Sequence, residues 1–151
     1  TGVQTCALPI SDMHQGMPGM GHSGAARAGM VIFTMTAALE WAPSGVRVNA
    51  VAPGWIASSG LDHYDESIRS TVIPMLRDSV PLKRLGTESE VSAAICFLLS
   101  DAAAFITGAM LQVDGGAPLY SAVWPTPDHD RSRPFAGFHR AVTPEALKKP
   151  H

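Results

Sequence analysis

One stretch constrains this chain more than any other: Glu40-Trp41-Ala42-Pro43-Ser44-Gly45-Val46-Arg47-Val48-Asn49-Ala50-Val51-Ala52-Pro53-Gly54. Pro43 and Gly45 are helix-stopping residues, so the segment before them is predicted to be a helix that ends near Ala42. Val46, Val48 and Val51 are β-branched and favour an extended chain packed on a pleated surface. Pro53-Gly54 then closes the strand with a sharp turn, where glycine tolerates a backbone near a ligand that a side chain would not. In parallel α/β sheets, ligands lie beyond the carboxyl ends of the strands. The residues following Gly54, namely Trp55, Ile56, Ala57 and Ser58, are therefore the first place to look for a site.

Other properties limit the class. The chain has 151 residues, of which 46% are hydrophobic and 16% charged, a balance that can build a buried core. The formal net charge of −2 gives no electrostatic reason to bind nucleic acid or an anionic membrane. Cys6 and Cys96 are too few for a disulfide framework and lack metal-ligand spacing. Thr107 and Gly108 interrupt the apolar run that follows Ala93–Leu99, so no membrane-spanning length accumulates. These features predict a cytoplasmic protein without a membrane or nucleic-acid partner.

Residues 1–10, Thr-Gly-Val-Gln-Thr-Cys-Ala-Leu-Pro-Ile, resemble the translation of a common sequencing-library adapter. On that reading they are a non-native segment and are excluded from the fold; the alternative is a genuine strand with a proline near its end. Residues 11–21 read as a loop, since glycines and Pro18 deny it a regular element. Met13, His14, Met17, Met20 and His22 are of ligand types that suit Cu(I), but the pattern occurs once. A long helix is then predicted from His22 to about Ala42, apolar almost all round and so buried on several sides. Residues 59–80 read as a polar loop followed by an amphipathic helix with Ile68, Val72, Ile73 and Leu76 on its apolar side, which Pro74 kinks or ends. Thr87 and Glu90 form a capping box for the next helix, whose apolar face is Val91, Ala94, Ile95, Leu98 and Leu99. Met110–Val113 is the next strand, closed by Asp114-Gly115-Gly116. Residues 121–151 are a proline-rich tail; its Asp128-His129-Asp130 could ligate a metal but reads more simply as solvated, and no metal site is predicted.

The segment from Ala38 to Gly54 resembles the second half of a short-chain dehydrogenase/reductase. His22–Gly29, Pro81–Gly86, Glu88–Leu99 and Phe105–Gly116 agree with that family in order. The resemblance implies an α/β fold: the C-terminal half of a doubly wound, Rossmann-type parallel sheet whose N-terminal strands are missing. It also makes residues 11–120 a partial NAD(P)-binding domain with a substrate lid near 59–80. The implied cofactor is NADP(H) or NAD(H), and the implied parent is a homotetramer. Pro53, Gly54, Ile56 and Ser58 fall where the family holds the cofactor, with Ile56 near the carboxamide and Ser58 near the phosphates.

The family's catalytic Tyr-x-x-x-Lys is replaced. If Arg27 stands at the lysine position, the tyrosine position is Ser23. An aliphatic hydroxyl cannot serve as the general acid that a phenol is. Arginine can grip ribose hydroxyls but does not relay protons as lysine does. Ser23 as a simple helix cap and Arg27 as a surface charge are the structural alternatives. Tyr64, the tyrosine nearest the site, is either a surrogate acid or a lid-packing residue. The run His22-Ser23-Gly24-Ala25-Ala26-Arg27-Ala28-Gly29 and the Pro-Asp-His-Asp of the tail resemble the peroxisomal trans-2-enoyl-CoA reductases and their bacterial relatives. That implies an acyl-CoA-type substrate and fatty-acid metabolism. The alternatives are an alcohol dehydrogenase acting on a terpenoid or other alcohol, and a non-catalytic relative serving as a binding or oligomerisation module. No Gly-x-x-x-Gly-x-Gly phosphate turn is present, so the chain by itself is expected to be inactive and to expose an open edge along the Val46 strand.

Overall fold

The computed structural model describes residues 3–7, 18–138 and 142–148. In chain order the strands and α-helices are β1 (Val3–Ala7), α1 (Gly21–Trp41), β2 (Arg47–Pro53), β3 (Ile56–Ala57), α2 (Glu66–Asp78), β4 (Gly86–Thr87), α3 (Glu88–Leu99) and β5 (Met110–Val113). Most of the Met/His cluster and of the Gly16-Met17-Pro18 loop lies outside the described residues. The chain divides into two compact units, Thr1–Gly54 with Val91–Val113 and Trp55–Glu90 with Asp114–His151.

In the first unit, β1, β2 and β5 form a parallel sheet in the order β1-β2-β5. Thr5 pairs with Asn49 and Val51 pairs with Leu111. Two expectations are corrected here. Part of residues 1–10 does join the fold as a strand, because its backbone satisfies the donors and acceptors along one side of β2. The Val46 strand consequently has no open edge: β2 is central, with a partner on each side.

Residues Val48 to Ala52 of β2 are all buried, as in a strand covered on both faces. Val48 packs with Ala37 and Ala38 of α1. Val51, of opposite parity and so on the other face, packs with Leu98 and Ala103, backed by Val91, Ala94, Ile95, Ile106 and Val113. Leu99, assigned to the same face of α3, is instead exposed.

The stop before β2 forms as its residues dictate. Pro43 sits in a 3-10 turn over Ala42–Ser44, and Gly45, at φ +70°, donates its N–H to the Ala42 carbonyl. α1 itself departs from expectation. It buries the single stripe Val31, Thr34, Ala37 and Ala38, while Ile32, Met35 and Leu39 are exposed. Their spacing puts them together on another flank; the sheet of this unit covers only one side of the helix.

Polar pins hold the far ends of this unit. Asn49, fully buried, donates to the Ile106 carbonyl at 3.0 Å and accepts from the Ala109 N–H at 3.1 Å. Arg47 donates to the carbonyls of Leu98 (2.9 Å), Ile106 (3.3 Å) and Ser100 (3.2 Å), satisfying acceptors that the end of α3 would leave open. Thr107 Oγ1 accepts from the Val48 N–H, and Gly108, left-handed at φ +71°, donates to the Val48 carbonyl. Thr107 and Gly108 thus serve the sheet as well as breaking the apolar run.

In the second unit, β3 and β4 pair in parallel, Ile56 with Gly86 and Ala57 with Thr87. A Cβ added at Gly86 would lie 2.6 Å from Ile56 Cδ1, so a larger residue there would displace the tip of the isoleucine side chain. α2 follows, and Pro74 neither ends nor interrupts its assignment: the helix runs four residues further, to Asp78. The proline removes one backbone donor, the one that would otherwise reach the Ser70 carbonyl. Val72, Ile73 and Leu76 are half-buried, whereas Ile68 is exposed.

The capping box at the start of α3 is reciprocal. Glu90 donates its N–H to Thr87 Oγ1 at 3.2 Å, and its carboxylate accepts from the Thr87 N–H at 2.9 Å. The described tail takes up no sheet and only one short 3-10 turn, Glu145–Leu147, yet it is not loose: it is hydrogen-bonded to the segment around Arg84 and Glu90.

Candidate functional site

Ser23 and Arg27 lie on the first two turns of α1, four residues apart and so on one face. Both are half-buried, and Arg27 Nη1 donates to Ser23 Oγ. The capping alternative for Ser23 is corrected: the residue flanking the helix start is Met20, with no side-chain cap, and Ser23 sits inside the helix. Pro53 ends β2 and Gly54 follows, both half-buried. Gly54 donates its N–H to the Val113 carbonyl at 3.0 Å. The left-handed glycines are elsewhere, including Gly45, Gly115 and Gly116, so the turn at Pro53-Gly54 forms without that special conformation.

The second unit holds the remaining sequence-derived positions. Ile56 is in β3, half-buried against Gly86. Ser58 is half-buried and precedes a 3-10 turn over Ser59–His63, its carbonyl accepting from the Leu61 N–H. Tyr64 is 55% exposed. That exposure fits a residue of the lid surface and leaves both of its readings, surrogate acid and lid packing, in place.

A different group of residues borders a concavity in this unit. It is a cleft of about 930 Å³, bordered by Ile73 and Arg77 of α2, by the segment 82–89, and by tail residues from Asp128 to Leu147. None of Ser23, Arg27, Pro53, Gly54, Ile56, Ser58 and Tyr64 lines it. Arg84 is its anchor. Its guanidinium meets both carboxylate oxygens of Glu90, at 2.9 and 2.6 Å, and donates also to the Leu85 carbonyl and Ser132 Oγ. Phe135 N–H donates to Glu90 at 3.1 Å, and Thr87 Oγ1 donates to the Phe135 carbonyl at 2.6 Å. Burial alone would push the Glu90 carboxyl up. The Arg84 hydrogen bonds, the Thr87 and Phe135 amides and the Arg84 charge outweigh it and bring it down to about 2. Arg84 is therefore a structural charge, and its reach to the tail is not legible from the Pro81–Gly86 segment.

Sequence reasoning missed Lys83. It is 9% exposed and, among the described residues, the one non-glycine residue at a left-handed φ (+55°). Its ammonium donates to the Asp78 carbonyl at 2.7 Å and stands 5.7 Å from the centre of the Tyr120 ring. The only sequence signal was a long basic side chain in a turn, which ordinarily means a solvated charge. His129, in the Pro-Asp-His-Asp run, has Nε2 3.0 Å from the Pro81 carbonyl. Among the described residues no group of three or more His, Cys, Asp or Glu side chains is placed to hold a metal. No helix among them is long and apolar enough to cross a membrane.

A parallel sheet with a helix before its central strand, and a Pro-Gly turn at that strand's carboxyl end, defines the class as part of a doubly wound α/β protein. A family profile described as Enoyl-(Acyl carrier protein) reductase matches residues 5–118. The chain is 45% identical over 100 residues to a probable 2,4-dienoyl-CoA reductase of Bacillus subtilis, covering 65% of this chain and 39% of that protein. It is 40% identical over 117 residues to glucose 1-dehydrogenase 2 of the same organism, covering 75% and 43%. Among solved structures, the citronellol catabolism dehydrogenase of Pseudomonas aeruginosa PAO1 is similar at 55% identity and a TM-score of 0.61, covering 78% of this chain and 43% of that one. The chain belongs to the short-chain dehydrogenase/reductase family. It spans about two fifths of the length of these relatives (39% and 43% of the two Bacillus proteins).

Proposed function

We propose that a full-length protein carrying this chain is an NAD(P)H-dependent oxidoreductase that reduces trans-2-enoyl thioesters. The observation that carries the reading is the Ser23–Arg27 pair on α1, where the resemblance leads one to expect a phenol and an amine. Reduction of a ketone requires a proton delivered onto oxygen, and neither a serine hydroxyl nor a guanidinium supplies it readily near neutral pH. Reduction of an enoyl thioester puts hydride on the β-carbon and leaves an enolate. That step asks for a positive donor near the oxygen and a proton at the α-carbon, which solvent water supplies. Arg27 is such a donor, and the Ser23 hydroxyl holds the guanidinium in place. The similarity to a dienoyl-CoA reductase supports a conjugated thioester as the substrate class.

The bound nicotinamide would supply the hydride. Arg27 fits its ribose hydroxyls in donor type, with Pro53 and Gly54 at the strand end and Ile56 and Ser58 just beyond. No glycine-rich turn for the pyrophosphate occurs among these residues, so the chain provides for the nicotinamide end alone. A second reading, oxidation of a branched terpenoid alcohol, is favoured by the 55% identity to the citronellol catabolism dehydrogenase. The assay that separates them uses a full-length protein carrying these residues, with trans-2-enoyl-CoA and NADPH or NADH on one side and citronellol-like alcohols with NAD(P)+ on the other. Faster turnover of the thioester is expected. Faster turnover of the alcohols establishes the second reading, and no turnover of either leaves a non-catalytic binding or oligomerisation module.

A further inference from the structure

The cleft of the second unit is not explained by the reaction proposed above, since none of the residues assigned to that reaction borders it. Its volume, about 930 Å³, lies at the upper end of the range of small-molecule sites. Its lining is divided. Ile73, Leu85, Val142 and Leu147 offer apolar surface from α2, the turn and the tail. The cationic groups are Arg77, Lys83 and Arg84. Two of these are already neutralised, Arg77 by Asp78 at 2.7 Å and Arg84 by Glu90 at 2.6 Å. Lys83 is the exception: among the described residues no carboxylate pairs with it.

That condition is costly, because a buried ammonium normally requires a counter-charge. The Asp78 carbonyl and the Tyr120 ring face offset part of the cost. An ammonium has three donors, however, and the Asp78 carbonyl takes one of them. The backbone adds a second, independent sign: Lys83 holds a left-handed conformation that a side chain of its kind rarely adopts. Such strain persists where the surrounding structure enforces it, often at ligand sites. The carboxylates of the lining, Glu88, Asp128 and Asp130, are exposed. Water and salt therefore screen them more than they screen the buried amine.

We propose that this cleft is a binding site for a small amphipathic anion. Its carboxylate or phosphate head pairs with Lys83, and its apolar body lies against Ile73, Leu85, Val142 and Leu147. The head supplies the counter-charge that Lys83 lacks, and the body covers the apolar surface that Ile73, Val142 and Leu147 now present to water.

Titration calorimetry of the 151-residue chain with octanoate, octyl phosphate, octanol and octylamine tests this. Saturable binding of octanoate or octyl phosphate is expected, about tenfold or more tighter than octanol, the gap of one charged hydrogen bond. The stronger of the two anions identifies the head group. Lys83→Gln should bring the anion down to the affinity of octanol. Leu147→Asp, at a partly exposed tail position, should weaken all the apolar probes. Equal affinity for octanol and the anions, tighter binding of octylamine, or no saturable binding of either anion by the unaltered chain overturns the proposal. These comparisons need no variant, so misfolding of Lys83→Gln would not rescue it. An anion preference that survives in a folded Lys83→Gln overturns it as well.

Discussion

Arg27 stands one helical turn beyond Ser23 and donates to its hydroxyl, a meeting that the four-residue spacing in the sequence already implied. On the proposed reading its guanidinium holds the nicotinamide ribose. Arg27→Ala in the full-length protein should then raise the Kd for the cofactor about tenfold or more, since a hydrogen bond from a charged group contributes roughly 1.5–3 kcal/mol. Fluorescence titration with NADPH measures this, and an unchanged Kd would return Arg27 to the status of a surface charge. Other residues were less legible. Tyr64 gave no local sign of its 55% exposure, which depends on what the fold lays against it. Lys83 carries no local mark at all; its burial depends on Asp78 and Tyr120, which are brought to it by the fold.

The start of α3 is the element whose sequence and structure agree most closely, and also the one with the largest unforeseen extension. Thr87 and Glu90 make the reciprocal cap that their spacing prescribes. The same carboxylate then binds Arg84 and the Phe135 amide, tying the tail to the helix. Because the folded pKa of Glu90 is lowered to about 2 from 4.5, the unfolded chain takes up the proton first as pH falls. The stability that Glu90 contributes is therefore fully present above pH 4.5 and is lost progressively as pH drops towards 2. Glu90→Gln should lower unfolding stability at pH 7 by about 1–3 kcal/mol and flatten the dependence between those pH values. Urea unfolding at pH 7 and pH 3 would show it. An equal loss at both pH values would mean that the carboxylate acts through shape alone.

For the chain as a whole, the decisive feature is what its parallel sheet lacks. β2 has both neighbours and both faces covered in the first unit, so it is well supported even though the expectation was an exposed edge. The flank of α1 at Ile32, Met35 and Leu39 is exposed, where burial on several sides was expected. No glycine-rich pyrophosphate turn occurs in the sequence, and the nicotinamide end by itself offers few contacts. The 151-residue chain should accordingly show no saturable NADPH binding in calorimetry at micromolar concentrations. A micromolar site would mean that Arg27 and the residues after Pro53 suffice without the turn.

The helix stops, the valine-rich strand and the capping box were legible because each is settled by neighbours in the sequence. Pro43 and Gly45 act on the backbone beside them, β-branching acts on its own residue, and Thr87 reaches Glu90 within one turn. The partners of these elements were not legible. That β1 completes the edge of β2, that Arg47 and Asn49 tie the strand to residues near 98–109, and that the tail closes on Arg84 and Glu90 are all decisions of tertiary structure. Each joins groups about 45 to 60 residues apart in the chain. Local propensity says nothing about which distant carbonyl or amide will satisfy a buried polar group. Only the assembled packing brings those groups within hydrogen-bonding distance.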